Sequence, residues 1–220
     1  QRIDQDRHVS ADDRDAGTRV GDMDDEGFRL GVVLRFVDAA TDALSQAREE
    51  IDALNVYPVP AGDTGTNMFL TVSAARDAIH EAVAVEPGLG VDTALTRFAR
   101  GALLGARGNS GVILSQMLGA VAHRIAEAGP DQRQAIVLAE SFRDAADASY
   151  AAVGKPVEGT MLTVVRAAAD AAMALVTEDP KARGRDVFTI AAAAAREALA
   201  HTPEQLPTLA DAGVVDAGGR

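Results

Sequence analysis

The sequence predicts an all-α fold in one domain. Alanine is abundant, aromatic residues make up 4% of the 220 residues, and Trp is absent. The β-branched residues seldom alternate with polar ones, as they would in half-buried strands. Alanine has the highest helix propensity, and its small side chain lets helices pack closely. A chain of this length can bury one sizeable core, so we expect a bundle of closely packed helices.

Eight segments repeat apolar residues every three or four positions, as amphipathic helices do. Proline and glycine separate some of them, at Glu86-Pro87-Gly88 and at Gly129-Pro130, because both residues interrupt helices. Thr202 and Pro203 suit an N-cap and a first helical position, so a short helix begins there. The predicted spans are 27–54, about 67–85, 92–104, 112–128, about 131–153, 160–176, 186–201 and the short eighth helix. The connections are short, so successive helices should run antiparallel around a common core.

The two ends of the chain differ from this pattern. Residues 1–25 are rich in Asp and Arg and poor in large apolar residues, which predicts a disordered acidic tail before a single domain at 26–220. At the other end the sequence stops among glycines at Arg220, which suggests a fragment of a longer chain.

Charge and composition exclude several classes of function. The formal net charge of -12 makes attraction to nucleic acid or to an anionic membrane unfavourable. The absence of cysteine excludes disulfides and thiolate metal sites and fits a reducing compartment. No apolar run reaches the roughly 18 to 20 residues of a membrane-spanning helix. We therefore expect a cytoplasmic protein without a transmembrane segment and without a nucleic acid partner.

Residues 55–67, NVYPVPAGDTGTN, form a turn-rich loop that is hard to explain by folding alone. Its prolines fix φ, and Gly62 and Gly65 permit positive φ, so the loop can hold Asp63 and several N–H groups in one array. Carboxylate and carboxamide oxygens are ligands that Mg²⁺ prefers, and a helix that starts near Asn67 would direct its positive end at an anion. The loop predicts a site for a phosphate bound with a divalent metal; a polar helix connector with an N-cap is the alternative.

A second candidate phosphate loop is GARGNSGV at 105–112. Gly108 and the other glycines let the backbone approach a ligand, while Asn109 and Ser110 can donate hydrogen bonds at the start of a helix. Arg107 can pair with a transferring phosphoryl group, or it is a solvated loop residue. The stretch is not a Walker A motif, since no Gly-Lys-Ser/Thr follows at the required spacing.

Two further segments carry candidate binding residues. In KPVEGTML, residues 155–162, Thr160 and Met161 can line an adenine pocket, although by default a methionine there fills the core. In VVDAGG, residues 214–219, Asp216 can meet a sugar hydroxyl or a phosphate-bound cation, or cap a turn.

From about residue 28 to 219 the chain resembles the nucleotide-binding N-terminal domain of the bacterial fatty acid kinase ATP-binding subunit, a relative of the dihydroxyacetone kinase L-subunit. Four motifs carry the resemblance in order and spacing: NVYPVPAGDTGTNM, GARGNSGVILSQ, KPVEGTMLTV and GVVDAGG. The resemblance implies an antiparallel eight-helix barrel that binds ATP or ADP at one end through Mg²⁺. It also implies a kinase that phosphorylates a fatty acid for phospholipid synthesis, with the fatty acid presented by a separate fatty-acid-binding partner protein.

The resemblance further implies a set of metal ligands. The family pattern Pro-Asp-Gly-Asp-Thr-Gly places carboxylates at positions 61 and 63, with Asn55 as a further ligand. In this chain position 61 is alanine, and Asp63 alone remains. A methyl group cannot coordinate a cation, so we expect phosphoryl transfer to be impaired.

The candidate site residues form three groups. Asp63 and Arg107 are the candidate catalytic residues, and Asp63 and Asn55 are the candidate metal ligands. The candidate cofactor-binding residues are Thr64, Gly65, Thr66, Asn67, Gly108, Asn109, Ser110, Gly111, Thr160, Met161 and Asp216.

Two other functions stay open at this point. One is a dihydroxyacetone kinase-like phosphotransferase subunit, which supplies nucleotide to a partner that holds the substrate. The other is a catalytically silent nucleotide-binding module, which Ala61 permits. A homodimer formed through the full-length chain is open as well. Metal-dependent turnover separates the two enzymes from the silent module.

Overall fold

The computed structural model describes residues 28–58 and 60–220, and this part of the chain is helical without strands. Its nine helices are α1 (Leu30–Leu54), α2 (Thr64–Val85), α3 (Val91–Gly105), α4 (Gly108–Ala126), α5 (Gln134–Ala151), α6 (Met161–Glu178), α7 (Gly184–Ala200), α8 (Thr202–Gln205) and α9 (Pro207–Ala212). The predicted all-α class is confirmed, whereas the predicted tail at 1–25 lies outside the described residues. None of the nine helices is long and apolar enough to cross a membrane.

Two helices begin three or more residues earlier than the sequence predicts. α2 begins at Thr64 rather than near Asn67, and α4 begins at Gly108 rather than at Val112. The loop residues continue directly into the first turn, where backbone N–H groups have no intrahelical acceptor and a glycine or a polar residue is tolerated. Residues predicted to lie in loops therefore form the first turns of these two helices.

The ninth helix has no counterpart in the predicted spans. Its first residue is Pro207, whose fixed φ suits a helix start. It ends after one and a half turns at Gly213, which has a left-handed φ of 67°. A helix this short leaves too few apolar positions for a periodic pattern to be visible in the sequence.

Two clusters of buried side chains form the core. The first joins α1, α2, α3 and α4, and the second joins α5, α6 and α7. Ile125, near the end of α4, packs against both clusters. Alanines dominate the buried positions of the second cluster, which confirms the expected close packing; they are Ala135, Ala139, Ala172 and Ala191.

Aromatic and charged side chains also join the helices. The rings of Phe36 in α1 and Phe188 in α7 have centroids 5.3 Å apart, and Phe188 lies 5.5 Å from Phe142 of α5. Between α4 and α5, the Arg124 guanidinium donates to one carboxylate oxygen of Glu140, with Nε at 2.9 Å. These contacts join α1 to α7 and α4 to α5, while closure of the eight-helix barrel stays a prediction.

Candidate functional site

A cavity of about 680 Å³ opens where three helices begin. The first turns of α2, α4 and α6 contribute lining residues, as do the segments that follow α1, α5 and α9. Each helix N-terminus carries a partial positive charge of roughly half an elementary charge. Three such termini at one cavity favour an anion.

Most of the predicted site residues meet in this cavity, although they come from four separate motifs. Those that line it are Asn55, Asp63, Thr64, Asn67, Gly108, Asn109, Ser110, Thr160, Met161 and Asp216. Gly65, Thr66, Gly111 and Arg107 do not line it. The structure thus places ten of the predicted residues at the cavity wall and four outside it.

The loop before α2 holds Asp63 by its backbone. Asp63 is the N-cap of α2, yet its carboxylate makes no capping hydrogen bond. Its N–H donates to Oδ1 of Asn55 at 3.3 Å, and Asn55 is buried, with Nδ2 donating to the carbonyl oxygen of Tyr57 at 3.2 Å. Gly62 has a φ of 66°, in the positive region that a glycine permits. Asn55 therefore supports the loop, and the Asp63 carboxylate is exposed at the cavity wall.

The cap of α2 comes from α1. Oδ1 of Asp52 accepts a hydrogen bond from the N–H of Thr66 at 3.0 Å, and Oδ2 accepts one from its hydroxyl at 2.7 Å. The Thr66 hydroxyl is thus engaged with Asp52. Gly65 does not adopt the positive φ that a glycine permits, because this residue is helical. A Cβ there would overlap the Arg48 carbonyl oxygen and lie 2.9 Å from Cβ of Ile51, so glycine permits the close contact of α2 with α1.

The second predicted loop forms the first turn of α4. Gly108 has a φ of 60°, and a Cβ added to it would lie 2.5 Å from Nδ2 of Asn67. Asn109 and Ser110 follow it along the cavity wall. The glycine is therefore required by its own backbone conformation and by the Asn67 side chain, before any ligand is considered.

Two other predicted residues of this segment contact the protein instead. The Arg107 N–H donates to the Thr71 hydroxyl at 3.2 Å, and its guanidinium donates to the carbonyl oxygen of Ala106 at 3.1 Å. Gly111 is buried against the same Thr71 hydroxyl, which an added Cβ would overlap. Gly111 thus serves the packing of α4 on α2, and a catalytic role for Arg107 stays a prediction.

The start of α6 supplies the apolar end of the cavity. Thr160 is its N-cap, and its hydroxyl oxygen accepts a hydrogen bond from the N–H of Leu162 at 3.4 Å. Met161 is 8% exposed, and Gly218 of the C-terminal segment lies against it. The thioether is thus both a packed side chain and part of the cavity wall.

Asp216 is a buried carboxylate at the same wall. It is 6% exposed, and its Oδ2 accepts a hydrogen bond from the N–H of Gly219 at 2.9 Å. Burial raises the pKa of the Asp216 carboxyl to about 6, while backbone hydrogen bonds from Gly219, Met161 and Gly218 oppose this rise. Its contacts are those of a group that fixes the C-terminal segment over α6.

Lys155 was not predicted from the sequence as a site residue, yet it is the only basic residue among the described residues that line the cavity. The loop that carries it is held by Glu158, whose carboxylate accepts hydrogen bonds from the Tyr150 hydroxyl at 3.0 Å and from the Thr163 hydroxyl at 2.5 Å. Membership in the KPVEGTML motif was the available signal, because a lysine in a loop follows no periodic pattern.

The charges at the cavity suit an anion that brings its own cation. Among residues 28–58 and 60–220, no group of three or more His, Cys, Asp or Glu side chains is placed to hold a metal ion. Asp63 and Asp216 are the acidic residues of the described wall, and Asp216 accepts backbone hydrogen bonds. The helix N-termini and Lys155 can bind an anion, and Asp63 leaves one carboxylate for its counterion.

Comparison with known proteins identifies relatives. An uncharacterized protein of Staphylococcus saprophyticus is 44% identical over 181 residues, which cover 80% of this chain and 31% of the relative. Uncharacterized proteins of Staphylococcus epidermidis and Staphylococcus aureus are 44% and 43% identical over 178 and 180 residues, with the same two shares. The chain thus spans 31% of the length of these curated relatives.

The part of the chain that matches a known protein family contains most of the residues that line the cavity. The model of the DAK2 domain matches residues 58–220, which include the N-terminal turns of α2, α4 and α6. This match supports a dihydroxyacetone kinase-like nucleotide-binding domain. The chain therefore belongs to the DAK2 domain family.

Proposed function

We propose that this chain is the nucleotide-binding domain of an ATP-dependent fatty acid kinase, which phosphorylates a fatty acid presented by a separate lipid-binding protein. The observation that supports the proposal best is the convergence of three helix N-termini and Lys155 on one cavity. Its volume of about 680 Å³ lies within the range of small-molecule sites. The four sequence motifs support the fatty acid as acceptor.

In this proposal the nucleotide lies across the cavity. Its phosphates occupy the first turns of α2 and α4, beside Thr64 and Ser110, and its adenine lies toward Met161. The helix N-termini are fixed by the fold, so they stabilise phosphate charge without reorganising during the reaction. Lys155 adds an exposed positive charge at the same wall. Phosphoryl transfer then depends on electrostatics and on positioning of the acceptor.

Mg²⁺ fits this site as a companion of the phosphates. Asp63 offers one carboxylate without a capping hydrogen bond, whereas the oxygen of Asn55 already accepts the Asp63 N–H. Mg²⁺ is commonly held by one or two carboxylates, with phosphates and water completing its coordination. When bound, the ion neutralises charge on the phosphoryl oxygens. Asp63 is the residue that would hold it.

Ala61 weakens the same arrangement. It lines the cavity, where the resembling family has a second carboxylate. We therefore expect ATP to bind while phosphoryl transfer is slow, because fewer protein charges remain to hold cations against the triphosphate. The same observation favours a second candidate function, a catalytically silent nucleotide-binding module.

ATP consumption distinguishes these functions. The full-length protein is mixed with a fatty-acid-loaded binding protein, ATP and Mg²⁺, and is compared with its Ala61→Asp variant. Slow turnover that Ala61→Asp accelerates supports the fatty acid kinase. Equal and robust turnover in both would mean that another group replaces the missing ligand. ATP binding without turnover in either protein favours the silent module, and turnover with dihydroxyacetone alone as acceptor favours the other kinase.

A further inference from the structure

We propose that Asp52 is a positioning residue of the nucleotide site: it caps α2 in place of Asp63 and so leaves the Asp63 carboxylate available to a metal-bound nucleotide. The inference rests on the proposed nucleotide function, and the observations that support it are hydrogen bonds between α1, the residue that follows it and the start of α2. Asp52 itself does not line the cavity.

The N-cap of α2 is unusual in where its hydrogen bond comes from. An aspartate at an N-cap normally accepts a hydrogen bond from the N–H of the second or third helical residue. Asp63 is the N-cap, and Thr66 is the third residue of α2. The Thr66 N–H donates to Asp52 at 3.0 Å instead, and the Asp63 carboxylate makes no capping hydrogen bond. The capping carboxylate thus belongs to the preceding helix.

Asp52 holds Thr66 at two atoms. One carboxylate oxygen accepts from the backbone N–H, and the other accepts from the hydroxyl at 2.7 Å. Two bonds from one carboxylate fix its orientation. The N–H that Asp63 would take as a cap is therefore already occupied.

The backbone of Asp63 is held from the same part of α1. Asn55, the residue that follows α1, accepts the Asp63 N–H at 3.3 Å. The end of α1 thus fixes Asp63 through its backbone and satisfies the first turn of α2 through Asp52. This leaves the Asp63 side chain as the part of the loop that a ligand can use.

Gly65 makes the contact between Asp52 and Thr66 possible. A Cβ at Gly65 would overlap the Arg48 carbonyl oxygen, so a larger residue would separate α2 from α1 at this level. Thr66 would then move away from the Asp52 carboxylate. The glycine, the threonine and Asp52 therefore act as one unit that releases Asp63.

A purely structural cap and a positioning residue have different consequences. If Asp52 only stabilises α2, its removal lowers stability and leaves the ligand affinity of the folded protein unchanged. If it positions Asp63, its removal lets the Asp63 carboxylate take the vacated Thr66 N–H. The helix then stays capped, and the nucleotide site loses its carboxylate.

The test measures ATP affinity with and without Mg²⁺ by calorimetric titration. In Asp52→Ala we expect the affinity gained from Mg²⁺ to fall about tenfold or more, as it does when groups that orient metal ligands are removed. Asp52→Asn keeps an oxygen that can accept the Thr66 N–H, and its amide can donate to the Thr66 hydroxyl. In this variant Mg²⁺ should therefore increase the ATP affinity as much as it does in the unmodified chain. Asp42→Ala, an exposed aspartate of α1, is the matched control and should bind normally. In an Asp63→Ala background, Asp52→Ala should have no further effect.

A crystal structure of Asp52→Ala provides a second readout, in which the Asp63 carboxylate should accept the Thr66 N–H. An Asp63 side chain that stays free of this N–H, or an unchanged gain from Mg²⁺, would overturn the inference. Unfolding of Asp52→Ala while Asp52→Asn folds would also overturn it, since the inference requires Asp63 to replace the cap. Failure of the unmodified chain to bind ATP would count against the proposed function instead, and the crystal structure would still decide the role of Asp52.

Discussion

The carboxylate of Asp216 accepts a hydrogen bond from the backbone N–H of Gly219 at 2.9 Å, which ties the C-terminal segment into a turn at the cavity wall. Burial raises the pKa of this carboxyl from 3.8 to about 6. The folded protein therefore keeps a proton that the unfolded chain releases between these two values. The Asp216 carboxyl therefore makes its full contribution to stability below pH 3.8, and this contribution is lost as the pH rises through about 6.

This linkage predicts a pH-dependent effect of Asp216→Asn. Between pH 5 and 7.5 the unmodified protein loses about 1.4 kcal/mol of unfolding free energy through this one group, and the variant does not. The free energy of unfolding of Asp216→Asn, measured with urea, should therefore increase relative to that of the unmodified protein as the pH rises. Asp211→Asn, at an exposed position of α9, is the matched control. A difference that stays constant across this range would contradict the buried, protonated state of Asp216.

Asp63→Asn should weaken Mg²⁺-dependent ATP binding about tenfold, because it removes the charge of a cavity-wall carboxylate that makes no capping hydrogen bond. The melting temperature should change little, since the side chain is exposed and does not cap α2. Calorimetric titration with and without Mg²⁺ measures the effect. Asp131→Asn, an exposed loop aspartate outside the cavity, controls for the change of net charge. The same Mg²⁺ dependence in Asp63→Asn as in the unmodified chain would show that the ion is held elsewhere.

Lys155→Gln should weaken the binding of ATP but not of adenosine. The lysine lines the cavity and is exposed, so its attraction to phosphate is screened by water and is worth about 1 kcal/mol, or a factor of about five in affinity. Lys181→Gln, at an exposed position between α6 and α7, provides the matched control. Equal losses for ATP and adenosine would place Lys155 near the base rather than the phosphates.

Gly65→Ala should destabilise the fold, because the added methyl group would overlap the Arg48 carbonyl oxygen. Overpacking of this kind costs about 1 to 3 kcal/mol. Gly119→Ala in α4 is the opposite case, since no atom lies within 4 Å of its added Cβ. It should stabilise the protein by about 0.5 to 1 kcal/mol through helix propensity alone. Urea unfolding measures whether the free energy of unfolding falls in Gly65→Ala and rises in Gly119→Ala. An unchanged free energy of unfolding in Gly65→Ala would contradict the close contact between α1 and α2.

The sequence predicted the helices well where local patterns decide them. Apolar spacing identified α1, α3, α5, α6 and α7 with small shifts at their ends. Glycine and proline marked the connections because their effect on the backbone is local. The predicted starts of α2 and α4 were too late, since glycine is as acceptable in a first helical turn as in a loop.

The candidate site was predictable only in part, because some roles depend on the approach of distant helices. Gly65 was predicted as a site residue because glycine has conformational freedom. The structure gives a different reason for a glycine at this position, since any side chain would overlap the Arg48 carbonyl oxygen. The bond from Thr66 to Asp52 spans 14 residues, and no motif includes both partners. Residues that line the cavity were recognisable from their motifs, whereas those that orient them become visible only once α1 and α2 are packed.

The cavity also lies where other helices end. Asn55 follows the last residue of α1, Ala152 follows the last residue of α5, and both line the same wall as the first turns of α2, α4 and α6. Helix C-termini carry partial negative charge, so carbonyl ends and amide ends face one space. An up-and-down chain therefore creates a mixed electrostatic field simply by alternating direction. The carbonyl ends weaken the attraction of the amide ends for an anion, so the field suits an anion that is paired with a cation.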